Sequence, residues 1–140
     1  MNNPSCGLSK YAPQLLSILR IVTALLFMEH GGQKLFGFPM EPMGGVTAPL
    51  MSKMGFAGCL ELFGGLLFLL GLFTRPVAFL LSGMMAVAYF SVHAKGGWSP
   101  LVNKGELAVL YCFVFFYFFF AGGGAWSLDN VFCRKKPDPR

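Results

Sequence analysis

The chain has 140 residues, enough for one domain. Hydrophobic residues make up 55% and charged residues 12%, against about 25% charged in an ordinary soluble domain. So few charges exclude an ordinary soluble surface and point to an integral membrane protein, and the net charge of +5 informs through its placement.

The lead, 1–13, is short and polar. A first helix is expected over 14–34, opening after Pro13, a residue tolerated in a first turn. Arg20 interrupts its apolar run, which ends in Glu29 and His30 without a small-x-small cleavage site, so the run does not read as a signal peptide. The loop over 37–55, "GFPMEPMGGVTAPLMSKMG", is long for a helical hairpin and rich in Pro, Met and Gly. A second helix is expected over 56–73, with Glu61 as its charge, and a third over 76–94 after a very short turn. That turn makes these two helices antiparallel neighbours. The loop "AKGGWSPLVNKG" leads to a fourth helix over 105–122, with the aromatic run "FVFFYFFF". "GGGAWSLDN" breaks that helix with turn and cap residues Ser127, Asp129 and Asn130, and a basic tail follows over 130–140.

Spanning a bilayer takes roughly 20 mostly apolar residues, which each segment reaches with its flanks. The expected fold is an all-α integral membrane protein, a four-transmembrane-helix up-down bundle in a single domain, 1–140. Lys10, Arg75, Arg134, Lys135, Lys136 and Arg140 then share one side, and Lys34, Lys53, Lys95 and Lys104 the other. Positive residues favour the cytoplasm, so both termini are expected there, with the tail as a topology anchor. Cys6, Cys59, Cys112 and Cys133 form no C-x-x-C pair and read as small packing residues.

Helical spacing groups the charges. Positions three, four and seven apart share a face, which aligns Arg20, Thr23, Phe27, His30 and Lys34 and turns Glu29 away. Glu61 sits among Gly58, Gly64 and Gly65, small residues that let membrane helices approach. Tyr89 and His93 share the outer face of the third helix, and Glu106 opens the fourth. Up-down topology brings His30, Lys34, Glu61, His93 and Glu106 to one depth, with Arg20 about 15 Å deeper along the helix. Intramembrane ionisable groups usually face the bundle interior in pairs. One reading is purely structural: Arg20 with Glu61, or Lys34 with Glu106, tying helices together. The other is a binding or proton-handling site. His30 and His93 at one depth also bring a haem to mind, but the ligands are too dispersed for a metal-spacing argument and no metal site is expected.

The ordered set "R-x9-HGGQKLFG", "GCLELFGGLLFLLGLFTRP", "SVHAKGG", "NKGELAVLY" and "GGGAWSLD" resembles the DoxX family over nearly the whole chain. The resemblance implies a small bacterial inner-membrane protein linked to membrane redox and thiol-stress chemistry. It places polar positions at Arg20, His30, Lys34, Glu61, Arg75, His93, Glu106 and Tyr111. The implied role is a membrane component of a redox system that binds a quinone or a small molecule and takes electrons from a partner protein. Glu61, His93 and Glu106 are the candidates for proton handling; Arg20, His30, Lys34, Tyr89 and Tyr111 are the candidates for ligand binding. The alternative is a non-catalytic scaffold for a partner enzyme, or a small-solute transporter. The expected partners are the lipid bilayer, a redox protein and further copies of the chain, with no nucleic acid.

Overall fold

The computed structural model describes residues 6–41 and 45–133. Arg134, Lys135, Lys136 and Arg140 of the basic tail, and the side chains of Cys6 and Cys133, lie outside the described residues.

Among the described residues the chain is all-helical: α1 (Cys6–Ser9), α2 (Ala12–Phe36), α3 (Lys53–Leu70), α4 (Thr74–Gly96), α5 (Glu106–Ala121) and α6 (Leu128–Cys133). Three of them, α2, α3 and α4, are long and apolar enough to cross a membrane; α5 is apolar but has 16 residues. The termini have local causes. Pro13 sits in the first turn of α2, where no intrahelical donor is needed. Gly37 ends α2 at φ 68, and its N–H reaches the Gln33 carbonyl at 3.1 Å. α3 begins before the expected 56 because the Ser52 hydroxyl accepts from Gly55 N–H, and it stops before 73 because Gly71 turns left-handed at φ 66. α4 begins at Thr74, so Pro76 falls in its first turn, and Gly122, at φ 79, ends α5.

Neither α3 nor α4 is a uniform α-helix. Each has one π-helical stretch, over Leu60–Gly64 and Tyr89–His93. Such widened turns recur at functional sites because they shift a side chain off its α-helical direction. Here the two turns carry Glu61 and His93.

Tertiary contact concentrates between α2 and α3 and between α4 and α5. Glycines permit the first pairing. A Cβ on Gly31 would lie 2.8 Å from both the Gly58 carbonyl and the Leu62 nitrogen, a separation no real Cβ tolerates. The two pairs meet through rings: Phe27 of α2 packs on Tyr111 and Phe115 of α5, and Phe68 of α3 on Phe115 and Phe118, with centroids 4.8–5.1 Å apart.

Polarity is arranged unlike that of a soluble protein. Ser17, Arg20, Thr23, Glu61, Thr74, Ser82 and Ser127 are buried, while Leu15, Leu25, Leu26, Phe79, Leu80, Val87, Phe113 and Phe120 face outward. So many large apolar side chains facing outward from apolar helices point to a membrane protein.

Candidate functional site

Two polar centres lie at opposite ends of the helices, and they divide the residues singled out by the sequence.

At one end, Phe27, His30 and Lys34 of α2, Glu61 of α3, Met85, Ala88 and His93 of α4, and Lys104, Leu107, Ala108 and Tyr111 line a cavity of about 240 Å³. Lys34 Nζ donates to Glu61 Oε1. Glu61 Oε2 is buried with no hydrogen-bond partner. His30 stands edge-on to Tyr111, their centroids 6.2 Å apart. The stripe expected along α2 is present, and Glu29 is exposed on the far side.

A hub on the α4–α5 loop positions His93. Asn103 donates from Nδ2 to the Tyr89 hydroxyl at 3.2 Å and to the Gly97 carbonyl at 2.8 Å, and its Oδ1 accepts from Gly105 N–H at 2.8 Å. Its carbonyl lies 3.2 Å from His93 Nδ1. Tyr89 in turn donates to the Trp98 carbonyl at 3.0 Å. Tyr89 is therefore outside the cavity wall and braces the loop that holds His93. The same loop delivers Lys104, whose φ of 58 lies in the left-handed region that a lysine rarely adopts. Lys104 was not among the sequence candidates. Its position depends on one backbone angle, which composition and periodicity do not report.

At the other end, Arg20 is 1% exposed. Its Nη1 donates to the Gly123 carbonyl, and its Nη2 to the Leu69 and Trp126 carbonyls at 3.2 and 3.0 Å. These carbonyls end α3 and line the segment after α5, so a planar fork satisfies backbone groups freed by two chain breaks. The Ser17 hydroxyl accepts from Trp126 N–H at 3.0 Å. Asp129 accepts from the N–H groups of Phe73 and Thr74, each at 2.8 Å, and so caps α4 from 55 residues away in sequence. Ser127 accepts from Asn130 N–H at 3.3 Å. The turn-and-cap reading of Ser127 and Asp129 thus describes what they do.

Two expected pairings are corrected. Arg20 does not meet Glu61: it lies at the opposite end, held by carbonyls. Lys34 does not meet Glu106: it pairs with Glu61. Glu106 is exposed in the first turn of α5, outside the cavity wall, where a carboxylate favours the helix N-terminus. Of the residues singled out, the structure gathers His30, Lys34, Glu61, His93 and Tyr111 around one cavity. It leaves Arg20, Tyr89 and Glu106 out of the wall. Cys59 and Cys112 are free thiols, each partly buried.

A model of the DoxX family matches residues 15–94, a range that includes Arg20, His30, Lys34, Glu61 and His93. Two uncharacterized proteins of Haemophilus influenzae are similar to the chain. One is 46% identical over 138 residues, covering 96% of this chain and 100% of the relative. The other is 29% identical over 132 residues, covering 87% and 85%. No solved structure matches. Family membership and the apolar helices together point to a membrane protein, and the chain belongs to the DoxX family.

Proposed function

We propose that the protein is a multi-pass component of the bacterial inner membrane that binds the head group of a quinone for a redox system. In this reading α2, α3, α4 and the shorter α5 cross the bilayer up and down, with both termini cytoplasmic. The observation that carries the reading is the unpartnered Oε2 of buried Glu61 in the wall of a cavity that also holds His30, His93, Lys104 and Tyr111. A buried polar atom without a partner is costly, and a ligand that supplies a donor relieves the cost.

The donor set suits both redox forms of such a ligand. Quinone oxygens only accept hydrogen bonds, and Lys104, Tyr111 and the two histidines can donate. Quinol hydroxyls donate, and Glu61 Oε2 can accept. At about 240 Å³ the cavity falls below the roughly 300–1,000 Å³ of drug-sized sites, which fits a head group and leaves the tail to the apolar helix surfaces. A bound quinone would supply two-electron, two-proton chemistry, with the electrons drawn from a partner redox protein. The chain's own residues orient the head, and Glu61 with His93 hands over protons.

The test is a lipid extract and absorption spectrum of protein purified in mild detergent. Stoichiometric quinone is expected in the wild type and lost in Glu61→Gln and His93→Ala, with helix content unchanged. Equal quinone in all three would reject the reading. A partner protein that co-purifies with quinone-free wild type would support the scaffold alternative instead.

A further inference from the structure

At the Arg20 end, α2, the α3–α4 turn, the end of α5 and α6 enclose an open groove of about 1260 Å³. Nothing in the proposed quinone site uses it. Its walls are mainly apolar, with Leu16, Leu72, Phe73 and Tyr117 among them, and its polar side carries Thr74 and Arg75. Arg75 is exposed, forms no ion pair among the described residues, and sits over the turn that ends α5: a Cβ on Gly122 would lie 3.8 Å from its Nε and Nη2.

We propose that this groove binds an anionic phospholipid, with the phosphate against Arg75 and an acyl chain along the apolar wall.

Size, charge and position support this occupant. The groove exceeds the roughly 1,000 Å³ upper range of small-molecule sites, so it has room for a head group and part of a chain. Guanidinium matches phosphate in a two-pronged geometry. Asp129 is the acidic group in the wall, but both its oxygens are engaged by the Phe73 and Thr74 N–H groups, which limits its repulsion of a phosphate. The chain's own tail, "RKKPDPR", is the competing occupant. Its excess of positive charge opposes a place beside Arg75 and favours an anion there. Under the topology proposed above, the groove also opens to the leaflet where anionic lipids attract basic residues.

The experiment delipidates the full-length protein in detergent and titrates phosphatidylglycerol against phosphatidylcholine with the same chains, counting bound lipid by native mass spectrometry. Wild type is expected to prefer phosphatidylglycerol roughly tenfold, a preference that fades at high salt. Arg75→Gln is expected to abolish the preference and Arg75→Lys to keep part of it, with helix content unchanged. A chain ending at residue 133 is expected to behave as wild type. Equal binding of both lipids by wild type, or a preference insensitive to salt, would overturn the proposal without relying on any variant. So would a preference that survives Arg75→Gln and disappears with the tail. None of these outcomes depends on quinone binding.

Discussion

Lys34 Nζ and Glu61 Oε1 join α2 to α3 at a carboxylate that is 3% exposed, while the other oxygen of the same carboxylate has no partner. The pair ties the two helices together and leaves the second carboxylate oxygen buried without a donor, the feature on which the proposed ligand site rests.

Breaking that pair from one side should cost more than removing both charges. Lys34→Met leaves Glu61 buried and unpaired, and a loss of about 3–5 kcal/mol is expected. Lys34→Met with Glu61→Gln should recover most of it. Thermal unfolding in detergent measures the cycle; single and double variants of equal stability would show that the pair contributes nothing to folding.

Arg20 holds three carbonyls from two chain breaks. Arg20→Met should destabilise the protein by about 3 kcal/mol or more, because the Gly123, Leu69 and Trp126 carbonyls lose their donor inside an apolar environment. Arg20→Lys should rescue little, since an ammonium lacks the planar fork. Limited proteolysis after Ala121 and the unfolding midpoint report the change, and a fully stable lysine variant would contradict the assignment.

Asp129 caps α4 with both oxygens. Asp129→Ala should cost about 1–2 kcal/mol, the upper range for a lost helix cap, and Asp129→Asn less. Hydrogen exchange at Phe73 and Thr74 should rise in parallel.

Two glycines within helices make a paired test. Gly31→Ala drives a methyl into the α3 backbone and should separate α2 from α3. Gly83 has nothing within 4 Å of its would-be Cβ, so Gly83→Ala should stabilise α4 by about 0.5–1 kcal/mol. Unfolding midpoints moving in opposite directions would bear out the packing.

Lys104 carries a left-handed φ of 58 in the cavity wall. Lys104→Gly should relieve about 1 kcal/mol of backbone strain while weakening quinone retention. A gain in stability with undiminished retention would remove Lys104 from the site.

The amino-acid sequence by itself located the apolar helical segments, because hydropathy and the 3.6-residue period are local properties, although α5 is shorter than the spanning helix expected there. The same period determined the α2 stripe through Thr23, Phe27, His30 and Lys34, and the outward face of Glu29. Glycines around Glu61 signalled close approach, and Gly31 and Gly58 meet there. The tertiary structure decided which partners those groups take. Helical rise already set Arg20 deeper than Glu61, but only the packed structure shows that carbonyls of Leu69, Gly123 and Trp126 accept from the guanidinium. The Asp129 cap reaching back to Thr74 depends on a contact between distant segments, and the π turns under Glu61 and His93 and the left-handed Lys104 leave no mark on the hydrophobic period. Periodicity orients a side chain around its own helix axis; only the packing of one helix on another fixes what that side chain meets.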